Sequence, residues 1–185
     1  MRITKLKHPK FIVTGAAIIG SCTLGAAALA FSITKTTSGD VEQHFITQSS
    51  ATLIPATPGW HDIPNATFNI TVPDSNTNHR LAHITFSGES RCENATRCSV
   101  RAVVTSAENG STVEMEPASG TNFTFDSGGT RGARSFSRII ELSGGSEGIQ
   151  YTLKLQGQII GGTSASVFRL DDYLTQLELS NTPVN

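Results

Sequence analysis

Short runs in which apolar and polar residues alternate constrain the fold of this chain more than any other feature. Phe68, Ile70 and Val72 alternate with polar residues. Further runs follow at 82–86, 100–104, 123–125, 136–142, 151–155 and 167–179, separated by glycine- and serine-rich stretches. A period of two, repeated about every ten residues, is typical of antiparallel strands and not of helices. The sequence therefore predicts an all-β domain at 59–185, built as an antiparallel β-sandwich or jelly roll.

The last run, 167–180, fits either a helix, with its leucines on one face, or a strand. As a strand it places Phe168 and Leu177 on opposite sides, so a bulge near Asp171-Asp172 is needed to switch the phase. We expect the strand because every neighbouring run is one.

The two adjacent carboxylates of this run have two interpretations. They mark a functional spot, or Asp171 is solvated while Asp172 pairs with an arginine such as Arg101 or Arg169. We favour the second interpretation.

An apolar segment, Phe11 to Phe31, contains no charged residue and follows four basic ones: Arg2, Lys5, Lys7 and Lys10. This pattern predicts an N-terminal hydrophobic helix at 1–31 that acts as a signal peptide or a membrane anchor. Cleavage after Ala30 fits the small-x-small pattern, and lipidation of Cys22 is a further alternative. In each case the basic residues stay cytoplasmic, so the rest of the chain is expected outside the cell or on the outer face of the cytoplasmic membrane.

Charge excludes one class of partner. Four of the 14 basic residues precede Phe11, so ten remain against 15 acidic residues in the exported part. A surface with this acidic balance repels phosphate backbones, and we therefore expect no nucleic-acid partner. Membrane contact is expected only through the N-terminal segment, if it is not cleaved.

Residues 32–58 mix Ser, Thr, Pro and Gly with few bulky apolar side chains. This composition predicts a linker that holds the domain away from the membrane or wall. In the alternative interpretation, the stretch from Gln43 to Ile46 adds an edge strand to the domain.

Cys92 and Cys98 are the only cysteines in the exported part. In an oxidising compartment two thiols this close in sequence are expected to form a disulfide. It would shape a loop with four charged residues: Glu89, Arg91, Glu93 and Arg97. The loop is either a binding loop or a stapled turn whose charges are merely solvated.

Several blocks carry a resemblance. They are FSGES at 86–90, Cys92, CSVR at 98–101, PASG at 117–120, FTFDS at 123–127 and FRLDD at 168–172. In this order they resemble a group of uncharacterised exported bacterial β-sandwich proteins with no assigned activity. The resemblance implies the fold and the compartment, and it supplies no catalytic residues. This chain departs from the group at Tyr173, where an aromatic such as Trp is usual.

Motifs for catalysis or metal binding are weak. GGSEG at 144–148 matches a nucleophile elbow, but a strand pattern follows it and no histidine occurs after His83, so we expect a hairpin turn. His79 and His83 lie about 13 Å apart on a strand, too far to share one ion. Calcium ligands such as Asp126 lack a recognisable spacing. We therefore predict no catalytic residue, no metal site and no cofactor.

Three function classes remain. We expect a non-enzymatic cell-surface or secreted module for binding or adhesion, with a cell-surface protein or glycan as partner. A carbohydrate-binding domain is the alternative, and it requires an exposed platform of rings from Trp60, Tyr151 and Tyr173. A cell-envelope hydrolase is the third, and it requires two carboxylates about 5 to 9 Å apart in a cleft.

Overall fold

The computed structural model describes residues 30–36, 41–73, 79–120 and 123–182. The described chain is all-β, with strands β1 (Ala30–Thr36), β2 (Val41–Gln48), β3 (Thr52–Ile54), β4 (His61–Val72), β5 (His79–Glu93), β6 (Arg97–Ser106), β7 (Thr112–Glu114), β8 (Gly132–Ser143), β9 (Ile149–Ile160) and β10 (Val167–Thr182). The predicted N-terminal helix lies almost entirely outside the described residues. Within them, no helix has the length and apolar character needed to span a bilayer.

The strands form two antiparallel sheets. The first has the order β1-β2-β10-β5-β8, with β3 also paired to β10, and the second has the order β4-β9-β6-β7. Both sheets contribute to one hydrophobic core, through residues such as Ile84 and Phe86 on β5 and Leu153 and Leu155 on β9. The all-β, two-sheet prediction is confirmed.

Alternation along each strand accounts for the core. Phe68, Ile70 and Val72 are buried, whereas the polar residues between them are exposed. Phe86 is fully buried, and its ring centroid lies 5.8 Å from Phe136. Burying one such side chain contributes about 1.5–3 kcal/mol, so the repeated inward positions supply the main driving force for folding.

The last run is a strand with a bulge, as predicted. The register between β10 and β5 shifts between Asp171 and Leu174. Asp172 has a φ of 44°, the left-handed conformation that lets the chain take up an extra residue. As a result, residues on both sides of the bulge face the core: Phe168, Leu170, Leu177 and Leu179.

The predicted linker at 32–58 is corrected by the structure. β2 and β3 lie in this range and pair with β10. Ile46 and Ile54 are buried, which is why a segment rich in Ser, Thr and Pro joins the fold. The alternative with a strand at 43–46 matches the structure better, although β2 lies between β1 and β10 and is not an edge strand.

GGSEG at 144–148 forms a turn, but the expected hairpin is wrong. The turn joins β8 of the first sheet to β9 of the second, and these two strands do not pair. Gly145 and Gly148 adopt φ values of 59° and 78°, which glycine adopts without steric cost.

Candidate functional site

The predicted disulfide between Cys92 and Cys98 is present, with Cα atoms 5.8 Å apart. Cys92 lies on β5 of the first sheet and Cys98 on β6 of the second. Both are buried in the core. The disulfide therefore ties the two sheets together at one end of the sandwich instead of shaping a surface loop.

The predicted binding loop is a strand surface. Glu89, Arg91 and Glu93 lie on β5, and Arg97 is the first residue of β6, so only 94–96 connect the two strands. Side chains alternate along β5, with Ser90 facing inward. The three predicted charged residues of β5 consequently share the outer face of the first sheet.

Neighbouring segments complete this surface. On β10, Arg169 lies opposite Arg91 and Asp171 opposite Glu89. Arg131, which precedes β8, contacts Glu89 at 3.2 Å and Asp171 at 2.8 Å. We call the following six residues the charged cluster: Glu89, Arg91, Glu93, Arg131, Arg169 and Asp171.

The expectation for the two adjacent carboxylates is wrong. Asp171 is the paired one, since it accepts hydrogen bonds from Arg131 at 2.8 Å and Arg169 at 2.9 Å. Asp172 is exposed. The bulge explains why Asp171 is paired and Asp172 is not, because it turns Asp172 away from the ladder and leaves Asp171 level with Glu89.

The charged cluster has three cations and three anions, and most of its side chains are partly exposed. Arg131 and Glu89 retain 47% and 43% exposure. The exposed pairs, Arg131 with Glu89 and Arg91 with Glu93, contribute only about 0.2–1 kcal/mol each. Asp171 differs, because its side chain is only 11% exposed and Arg131 and Arg169 compensate for its burial. Stability therefore gives little reason for the arrangement of the exposed pairs.

The buried carboxylate of Asp126 lies on the inner side of β5, where it contacts the inward-facing Ser90. Asp126 accepts hydrogen bonds from the Ser90 hydroxyl at 2.5 Å, the Gly128 amide at 2.9 Å and Arg134 at 3.4 Å. The Cys98 amide also donates to the Asp126 carbonyl at 2.7 Å. Both carboxylate oxygens accept hydrogen bonds from protein donors, so the Asp126 side chain is held rigidly in place.

The outer face of the second sheet carries a separate polar network. Asp62 accepts hydrogen bonds from Gln156 and Lys154, both at 2.7 Å, and these bonds lower the pKa of its carboxyl group. Arg101 donates to Gln156 at 2.9 Å and stacks 4.4 Å above the Trp60 ring. Burial lowers the pKa of the Arg101 guanidinium, partly offset by Glu114.

The aromatic platform expected of a carbohydrate-binding domain does not form from the named rings. Tyr151 and Tyr173 are buried at 8% and 2% exposure, and only Trp60 is partly exposed. The Tyr173 hydroxyl donates to the Pro64 carbonyl at 2.5 Å inside the sandwich.

The described residues also contain no group of three or more His, Cys, Asp or Glu side chains that would hold a metal ion. His79 contacts Glu141, whereas His83 contacts Ser137. A hydrolase would require two carboxylates in a cleft. Glu89 and Asp171 lie across from each other, but both contact Arg131 on the outer face of the first sheet.

Comparison with known proteins places this chain in no family. No family model matches it, and no curated protein does. One solved structure that resembles it is described as the structure of infectious bursal disease virus Gx strain, at 14% identity and a TM-score of 0.41. The likeness covers 92% of this chain and 36% of the viral one. It is too distant to support an argument about function.

Proposed function

We propose that this protein is an exported, non-enzymatic binding or adhesion module that contacts its partner through the charged cluster. The observation that carries the proposal is the register of like charges. Arg91 lies opposite Arg169, and Glu89 lies opposite Asp171. Like charges directly across an antiparallel pair are destabilising. A sheet surface serving stability alone would place opposite charges in these positions.

We call Glu89 and Asp171 the acidic row and Arg91 and Arg169 the basic row, and these two rows differ in what they offer a partner. Arg131 bridges the acidic row, Glu89 and Asp171. The basic row has acidic neighbours only along its own strands: Glu93 lies 3.3 Å from Arg91, and Asp171 lies 2.9 Å from Arg169. Two adjacent guanidinium groups fit a carboxylate, which they bind in a bidentate manner. An acidic side chain or an acidic sugar of a cell-surface partner provides such a group.

Export is part of the proposal. The apolar segment from Phe11 to Phe31 after four basic residues supports it, and a disulfide at Cys92 and Cys98 is compatible with an oxidising compartment. The intact mass of the protein recovered from its native cells tests this point. A cleaved leader, a retained segment and a lipid on Cys22 give different masses, and recovery in the cytosol with free thiols contradicts export.

The binding proposal is tested with labelled full-length protein and envelope fractions of the cells that produce it. We expect saturable binding that weakens at least tenfold when Arg91→Gln and Arg169→Gln are combined, because the carboxylate loses both charge-assisted partners. Lys154→Gln, on the outer face of the second sheet, is the matched control and should bind as the wild type does. Equal binding by all variants, or no saturable binding, contradicts the proposal.

A further inference from the structure

A groove lies at the end of the sandwich opposite the charged cluster. Its walls are the β6–β7 loop, 107–111, and the β8–β9 turn, 144–148, and its volume is about 570 Å³. A second cavity of about 220 Å³ adjoins it, sharing Glu108 and Ile149. We call the two together the loop groove.

The walls of the loop groove are held in place by the backbone. The Ala107 amide donates to the Gln150 carbonyl at 2.9 Å, which connects one wall to the other. The Gly110 amide donates to the Ser106 carbonyl at 2.9 Å and closes the β6–β7 loop. A groove that is already formed requires little ordering when it binds a ligand.

Acidic residues line the loop groove, and no lysine or arginine does. Glu108 and Glu147 are both exposed, one on each wall. Among the acidic side chains in the described parts of the chain, only the carboxylates of these two residues and of Asp172 lack an ion-pair or hydrogen-bond partner. Glu141, the third acid of the groove, contacts His79 at 2.6 Å. Two uncompensated carboxylates therefore face one preformed groove.

We propose that the loop groove binds a segment of a partner protein that carries an arginine or lysine side chain. The aliphatic part of such a side chain packs on the apolar lining, where Val113 is 48% exposed. Its charged head then lies near Glu108 and Glu147, which attract it and accept its hydrogen bonds. This site is remote from the charged cluster and does not depend on it.

The test uses the ¹⁵N-labelled full chain and three capped pentapeptides, in which Arg, Lys or Gln stands between pairs of glycines. We expect the Arg and Lys peptides to shift the amide signals of Ala107, Gly145 and Gly148 in a saturable manner. The Gln peptide should leave them in place. Arginine should bind more tightly than lysine, because its planar guanidinium matches carboxylates.

Glu108→Gln combined with Glu147→Gln should weaken binding of the Arg peptide about tenfold. Asp172→Asn removes the third unpaired carboxylate, which lies at the bulge of β10, and should leave binding unchanged. Three results would overturn the proposal: no shift with either cationic peptide, equal weakening by Asp172→Asn, or displacement of the peptide by millimolar Ca²⁺ alone. The last result would identify a cation site instead. Both glutamates are exposed, so the variants should fold normally.

Discussion

Replacing Gly88 with alanine should destabilise the fold at the bulge that positions the charged cluster. A Cβ atom on Gly88 would lie 2.6 Å from the Tyr173 Cβ and 3.0 Å from the Tyr173 Cα. Carbon atoms normally approach to about 3.5–4.0 Å, so roughly 1 Å of movement is required. Tyr173 cannot easily supply it, since its ring packs against Phe86 and its hydroxyl is bonded to Pro64. Overpacking of this kind costs about 2 kcal/mol.

Urea and thermal unfolding of the full chain measure this cost. For a domain of this size, about 2 kcal/mol corresponds to a fall in Tm of roughly 4–8 °C. Gly129→Ala is the matched control, because a Cβ atom there meets nothing within 4 Å and its change in stability should stay within about 0.5 kcal/mol. If Gly88→Ala and Gly129→Ala unfold alike, the close approach of β5 to the bulge of β10 is refuted.

Three further predictions concern stability. Replacing Cys92 and Cys98 together by alanine should lower the free energy of unfolding by about 2 kcal/mol through loss of the crosslink alone; urea midpoints equal to wild type would contradict this. Tyr173→Phe removes the hydrogen bond to Pro64 and should cost about 1 kcal/mol in the same assay, and no change would show that the bond contributes nothing. Because the folded pKa of Asp62 is lowered, its contribution is present above the unfolded pKa near 3.8 and is lost as pH falls through the folded value. Asp62→Asn should therefore flatten the acid limb of the stability profile, and an unchanged slope would contradict the assignment.

Much of the fold could be predicted from the sequence because the side chains that turn inward follow a local period. Phe68, Ile70 and Val72 show that period without reference to any partner. Even the bulge near Asp171 could be predicted, since the apolar residues on its two sides are out of phase and can reach one core only through an extra residue.

The pairing of strands was not predictable in the same way. β2 and β3 bury few side chains, chiefly Ile46 and Ile54, so their composition resembles a linker until β10 provides the neighbouring strand. The turn at 144–148 has the residues of a hairpin, but its two strands belong to different sheets. Sheet membership depends on contacts between distant segments, and short patterns do not encode it.

The candidate site was predicted only in part for the same reason. Glu89, Arg91 and Glu93 follow from their position beside Cys92, although they lie on a strand and not in a loop. Arg131 gave no signal in the sequence, because it reaches the cluster only through the pairing of β8 with β5.

Both proposed surfaces place like charges near each other, whereas the buried charge in the interior is fully bonded to protein donors. Inside, Asp126 has both carboxylate oxygens bonded to protein donors, as a buried charge requires. At one end of the sandwich, Arg91 faces Arg169 across two strands, and at the other, Glu108 and Glu147 line a groove without partners of their own. Solvent makes these arrangements tolerable, but it does not make them favourable. A carboxylate from a partner would reduce the repulsion between Arg91 and Arg169, and a cation would pair with Glu108 and Glu147, whose carboxylates have no partner in the fold.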